Sequence, residues 1–368
     1  MPFAQNSIKE NSRRQLARPF SSNGPLNAFS EKQNFEIKKE DPNNLKVFHV
    51  IKPKNCVNKI SIKRQLRNNY RPCFTSGSNI VGDYCVGKSI GQGAYATVKE
   101  GRHRLTGEKV AIKIYEKFRI STKDKKANVE NEINILKTLS HSNIPKFIDT
   151  VDTQKYIYII MEYAKGISLL TLSKSKCRRQ FPEDECMKIF KQIISAIQYC
   201  HSKGVSHRDI KMDNIIIDRQ LNVKLIDFGF GAYINDKVSV FCGTPSYMCP
   251  EIVSKTPYYG HHADIWALGI LFYTLHAGDY PFRGSNDREL YKKIQKGTYS
   301  IPNNIPKSVA NLIRQMLMIS PLQRITADQV QKDDYFKETF EQYVIANDLK
   351  EKCYTLYGKE IIDKLVCY

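Results

Sequence analysis

The sequence is short of several things. None of its ten cysteines forms a C-x-x-C pair, and none joins a histidine at zinc-finger spacing. That excludes a zinc-ribbon or thioredoxin-type module and predicts reduced thiols in a cytoplasmic protein, with the nucleus as a second place for it. The opening residues, MPFAQNSIKENSRR, have no apolar core of a signal peptide, so a secretory leader is not expected. The strongest apolar run, Ala267 to Leu275, is far shorter than the ~20 residues a membrane span needs. It predicts a buried helix and no membrane span. Acidic residues are also scarce: 37 Asp+Glu stand against 57 Lys+Arg, a net charge of +20. Such a chain suits anionic partners, but charge alone does not choose among nucleotides, acidic proteins and membranes.

What is present is an ordinary globular composition, 41% hydrophobic and 26% charged over 368 residues. This excludes disorder throughout and allows one large domain or two smaller ones. Residues 1–82 stand apart as a basic, largely disordered arm rich in Asn, Ser, Lys and Arg. Up to residue 80 it holds half of the net charge. A solvated tail is expected of it; a nucleic-acid partner is not. Ser61-Ile62-Lys63-Arg64 is a segment a pseudosubstrate would use, although basic arms seldom act so.

From Asp83 the pattern changes. Tyr84–Ile90, a strand through Val98 to Gly101, Glu108–Tyr115 and Tyr156–Glu162 read as strands. Asn128–Ser140 reads as a helix, and Asp184–Lys203 as a long amphipathic helix stopped at Gly204. Short strands are expected at Asn214–Asp218 and Val223–Leu225, then helices to about Phe336. A β-rich piece followed by an α-rich piece predicts an α+β fold of two lobes with a cleft between them.

The chemistry-bearing residues fall along that cleft. Gly91-Gln92-Gly93-Ala94-Tyr95-Ala96-Thr97-Val98 joins two strands, and glycines there would let backbone amides approach a polyphosphate. Alone, it is equally an ordinary hairpin. Lys113 lies in an alternating apolar strand and needs an anionic partner to offset burial. Glu132 on the following helix suits better than Glu130. His207-Arg208-Asp209-Ile210-Lys211-Met212-Asp213-Asn214 packs five charged or titratable residues and an amide between a helix and an apolar strand. Asp227-Phe228-Gly229, Cys249-Pro250-Glu251 and Asp264-Ile265-Trp266 follow in order.

These motifs, in this order and at these distances, resemble the eukaryotic protein kinases over about residues 84–336, with the kinase domain expected over 83–336. The resemblance implies a bilobal kinase fold, with ATP held between a small β-rich lobe and a large helical lobe. It implies Mg²⁺ and ATP as cofactors, protein substrates, and a monomer. Ile90, Gly91, Gly93, Val98 and Ala111 would line the nucleotide site. Lys113, paired with Glu132, would hold the phosphates. Met161 would be the gatekeeper, and backbone groups of Glu162 and Ala164 would meet the adenine. Asp209 would take or orient the substrate proton, Lys211 would neutralise the moving phosphoryl group, and Asn214 and Asp227 would bind the metal. Asp264 would brace the catalytic loop, and Glu251 would pair with Arg324. A scaffold without turnover has no chemical need to keep Lys113, Asp209, Asn214 and Asp227 together.

Substrate class follows from the same resemblance. Lys211 and Gly243-Thr244-Pro245-Ser246-Tyr247 are similar to serine/threonine kinases. The family's Thr244 equivalent bonds both the catalytic Asp and Lys. Asp213 would read a basic residue upstream of the acceptor, whereas Thr274 stands where arginine-directed kinases carry a second acid. A moderate basic preference is expected. Phe241 to Glu251 is most similar to the calcium/calmodulin-dependent group, nearest its AMP-activated and microtubule-affinity-regulating branch. Ser168 replaces the acid often set against ribose. Val240 stands where that branch has a phosphorylatable threonine, so either Ser239 carries the phosphate or the segment needs none. Residues 337–368 are expected to be a C-terminal helical extension, either a cap on the large lobe or the first helix of a ubiquitin-associated-type module.

Overall fold

The computed structural model describes residues 79–93 and 95–336. The expected basic arm through residue 78 and the C-terminal extension, residues 337–368, lie outside the described residues. Order begins slightly earlier than the sequence pattern marks. β1 (Asn79–Val81) precedes the Asp83 boundary and pairs antiparallel with β2 (Tyr84–Gln92). Two apolar residues before a Gly82-Asp83 turn are too few to show periodicity.

β3 (Ala96–His103), β4 (Lys109–Glu116), β5 (Phe147–Asp152) and β6 (Tyr156–Glu162) complete a six-stranded sheet. Its order is β1-β2-β3-β4-β6-β5, antiparallel at every pair. β5 has no place in the sequence reading. It lies at the sheet edge, and Phe-Ile-Asp-Thr-Val-Asp is half exposed, so its alternation is weak.

β4 shows how one strand serves two environments. Successive side chains point to opposite faces. Val110 and Ile112 pack with Tyr84 and Ile160 in a small core on one face. Lys113 and Tyr115 point to the other, towards α1 (Lys123–Thr138). That helix starts five residues before the expected Asn128. Its first turns are mostly exposed polar residues with no apolar period to read.

The larger lobe contains α2 (Leu169–Ser175), α3 (Glu183–Ser202), α4 (Gly260–Ala277), α5 (Asp287–Lys296), α6 (Lys307–Met316) and α7 (Ala327–Gln331). α3 buries Ile189, Phe190, Ile193, Ile194 and Ile197 along one stripe. Its first turn carries Glu183, Asp184 and Glu185, which favour a helix N-terminus. α4 is buried nearly all round, as the run Ala267–Leu275 predicts. Phe190 meets Phe272 at 4.3 Å between the two helices. α4 stops at Gly278, where φ is +73° and a Cβ would stand 2.1 Å from the Arg178 carbonyl oxygen. Only glycine fits there. Among the described residues no helix is long and apolar enough to cross a membrane.

His276, buried at the end of α4, gives a pH-dependent stability. Its Nδ1–H donates to the Phe272 carbonyl at 2.8 Å, while Nε2 has no hydrogen-bond partner among the described residues. Burial lowers its pKa from 6.5 to about 4. Between those values the unfolded chain binds a proton that the folded chain does not, so stability falls as pH drops from 6.5 towards 4. His276→Gln should flatten that limb of a plot of melting temperature against pH. An unchanged slope would contradict this.

Candidate active site

The cleft is built from four loops at the ends of these elements. The hairpin between β2 and β3 forms its roof, with Gly91 opposite Val98. Neither Gly91 nor Gly93 needs a positive φ, and the Gly93 amide is spent on the Ala96 carbonyl at 2.8 Å. What these glycines contribute is the missing side chain, and the Gly93 N–H is not free for phosphate. Ile90 is 43% exposed on the rim.

Ala111 and Met161 sit directly opposite each other on β4 and β6. They form one wall beside the connection to the larger lobe, where Glu162 and Ala164 lie. The Glu162 amide donates to the Lys146 carbonyl at 2.9 Å, so its carbonyl is the group this residue has to offer a ligand. Its carboxylate is tied to Lys224 at 2.7 Å. Ser168 does not replace the absent acid. Its hydroxyl caps α2, accepting from the Thr171 amide at 3.2 Å.

Lys113 is the centre of the first charge cluster. Its ammonium donates to Glu132 at 2.6 Å and to Asp227 at 2.7 Å, joining β4, α1 and the loop after Leu225. Glu132 is 1% exposed while Glu130 faces solvent, which settles the choice between them. Burial disfavours the Lys113 charge, but the two carboxylates outweigh it and lift its pKa well above the usual lysine range. Burial likewise opposes the Asp227 charge. Lys113 and the Gly229 amide overcome that and hold it below the usual carboxylate range. Gly229 leaves room for the cluster, since a Cβ there would meet Asp227 Oδ1 at 3.1 Å and Lys113 Nζ at 3.4 Å.

The second cluster surrounds Asp209. Its Oδ2 accepts from Lys211 at 2.8 Å and from the Asn214 amide at 2.8 Å. Lys211 also reaches the Thr244 hydroxyl at 3.1 Å. Among the described residues Thr244 makes no such bond to Asp209, unlike the pattern the resemblance implies. Asp264, 1% exposed on α4, accepts from the backbone amides of His207 and Arg208 and from His201. Burial works against its charge, and the His201 hydrogen bond and the His207 ring keep its pKa low. Two backbone strains sit at this centre: Arg208 has φ +66° and Asp227 φ +67°. Non-glycine residues hold that conformation only where surroundings over-determine it, typically at functional sites.

His207 has no assigned role in the sequence reading, yet it couples the two clusters. Its Nε2–H donates to the Ile226 carbonyl at 3.0 Å, its Nδ1 accepts from the Asp209 amide at 3.2 Å, and Phe228 packs edge-on at 4.7 Å. No sequence spacing shows such a link, because it joins segments nineteen residues apart.

The donor set suits Mg²⁺. The Asn214 side-chain nitrogen is spent on Asp209, which leaves its oxygen as the ligand atom. Asp227 bonds Lys113 and Gly229 through Oδ1, and Oδ2 makes no hydrogen bond among the described residues. Hard oxygen donors are what Mg²⁺ prefers. Among the described residues no cluster of three or more His, Cys, Asp or Glu could hold a metal alone. A Mg²⁺ ion held by one or two carboxylates and the nucleotide phosphates needs none.

The family description "Protein kinase domain" matches residues 84–336. A carbon catabolite-derepressing protein kinase of Candida tropicalis is 36% identical over 276 residues, covering 74% of this chain and 44% of that protein. Its namesake in Saccharomyces cerevisiae is 35% identical over 285 residues, covering 77% of this chain and 44% of that protein. The chain thus spans less than half the length of these curated relatives. From the small curled sheet, the helical lobe, the two charge clusters and these matches together, it follows that the chain belongs to the protein kinase family, in line with the AMP-activated branch that its activation segment resembles.

Proposed function

We propose that the chain transfers the γ-phosphoryl group of Mg·ATP to serine and threonine hydroxyls of protein substrates. The observation that carries this is the Lys113 bridge, because one ammonium joins Glu132 of α1 to Asp227 below the cleft. It is in place to orient the nucleotide phosphates. Phosphoryl transfer spreads charge over phosphate oxygens, so positioning and electrostatic stabilisation carry most of the catalysis. Asp209 accepts the hydroxyl proton. Lys211, already paired to Asp209, follows the moving phosphoryl charge. Asn214 and Asp227 would hold the metal, which when bound neutralises charge on the phosphates. Asp213 is exposed beside this loop and offers one carboxylate to an upstream basic residue. Thr274 is buried and bonds its own helix at the Ile270 carbonyl, so no second acid is there. Transfer from Mg·ATP to a degenerate peptide array should favour serine and threonine, with a moderate upstream preference for Lys or Arg. Tyrosine peptides labelled in preference to these would contradict the assignment.

We also propose that the activation segment is held without a phosphate. Arg208 Nη2 donates to the Tyr258 hydroxyl at 3.0 Å and to Cys242 Sγ at 3.2 Å, and Nη1 donates to the Phe230 carbonyl at 3.1 Å. Tyr258 in turn donates to the Val240 carbonyl at 3.1 Å. A neutral hydroxyl thus links Arg208 to the position where the branch carries its phosphate. One observation favours a second reading: Arg208 Nε is buried with no hydrogen-bond partner among the described residues, and exposed Ser239 is the neighbour that a phosphate would occupy.

A further inference from the structure

We infer that Tyr115 is a positioning residue for the Lys113–Glu132 pair, a reading that rests on the proposed kinase activity. Tyr115 stands two residues after Lys113 on β4, so both side chains leave the same face of the strand. Its hydroxyl donates to Glu132 Oε2, while Lys113 donates to Oε1 at 2.6 Å. One buried carboxylate is therefore held at both oxygens by one strand. The Glu132 side chain is 2% exposed, and a buried carboxylate left with an unpaired oxygen is costly. An aliphatic residue at 115 would leave Oε2 without this donor.

Lys113 Nζ lies 5.4 Å from the Tyr115 ring centre, so the ring also walls the ammonium against the sheet. Burial raises the Tyr115 pKa above the ordinary tyrosine range. Lys113 opposes that shift and Glu132 adds to it, so the phenol keeps its proton and remains a donor. The consequence appears when nucleotide arrives. Lys113 must then share its donors with phosphate oxygens, and its hold on Glu132 weakens. The Tyr115 bond does not depend on Lys113, so α1 and Glu132 stay in place throughout the cycle.

Tyr115→Phe in the full chain removes only the hydroxyl. It should lower kcat/KM for ATP about tenfold, the size of one charge-assisted hydrogen bond to a buried carboxylate, with KM for peptide unchanged. A purely packing role would lower the melting temperature and leave that split unmoved, which would overturn the inference. A second measurement, the Kd of Mg·mant-ATP, completes a cycle with Glu132→Gln. Tyr115→Phe should weaken nucleotide binding in the wild-type background and add nothing to Glu132→Gln. Equal losses in both backgrounds would overturn the inference. Should the wild type bind mant-ATP but transfer nothing, the kinase reading fails while the cycle still decides Tyr115. A wild type that binds no nucleotide overturns both.

Discussion

Replacing Asp209 with Asn should lower kcat for peptide phosphorylation by roughly 10²–10⁴-fold, the usual worth of a positioned general base. Asparagine keeps the shape and an acceptor oxygen for Lys211 and for the Asn214 side chain, which also holds the Asp209 backbone carbonyl at 2.9 Å. It removes the charge that would accept the hydroxyl proton. Melting temperature and mant-ATP affinity should therefore change little, because Lys113, Glu132 and Asp227 are untouched. The loss should appear in kcat and not in KM for ATP, the mark of an interaction made in the transition state. A variant with wild-type kcat would remove Asp209 from the mechanism. A variant that lost folding as well as activity would show the residue to be chiefly structural.

The largest stability effect is expected away from the cleft, at Arg324→Leu. Arg324 has a side chain fully shielded from solvent and makes a two-pronged pair with Glu251, at 3.0 and 3.1 Å. Its remaining donors go to the carbonyls of Met318, His262 and Ile319. Its guanidinium lies 5.2 Å from the Trp266 ring centre. Every N–H direction is thus in use, and the pair ties the segment before α4 to the one before α7. Removing Arg324 leaves the largely shielded Glu251 carboxylate, 10% exposed, without its guanidinium, which costs about 3–5 kcal/mol. For a domain of this size that lowers the melting temperature by about 6–20 °C. Adding Glu251→Leu should recover part of the loss, since the stranded carboxylate causes much of it. A single variant that melts with the wild type would show the pair to be neutral.

Much of this site was legible in the chain because its parts are local. The cluster from His207 to Asn214 falls within eight residues, and its members take their roles from the resemblance to protein kinases. Lys113 was legible from its place in an apolar strand, and Gly204 from its place after a helical run. What stayed hidden depends on approach in space. Tyr115 reads as one more apolar strand residue until the fold sets Glu132 against its hydroxyl. Tyr258 lies fifty residues from Arg208, so neither can be known from sequence as the other's partner. β5 was missed because an edge strand with one exposed flank loses the alternation that marks a buried one. Glu130 and Glu132 were separable by helix-to-loop spacing, and burial agrees with that choice. The Gly-rich turn was the converse case. Its glycines suggested amides open to phosphate, yet one of those amides is already bonded within the hairpin.

Catalysis is expected from a chain that carries no phosphate on its activation segment. The direct measurement is the initial rate of ³²P transfer from Mg·ATP to a serine/threonine peptide by phosphatase-treated full chain. Asp227→Asn serves as the inactive control, and mass spectrometry confirms an unmodified Ser239. The arrangement of Arg208, Tyr258 and the Val240 carbonyl predicts full activity from the first turnover, equal in Ser239→Ala and absent from Asp227→Asn. A lag that ends as Ser239 gains phosphate, or activity gained only after incubation with cell extract, would contradict it.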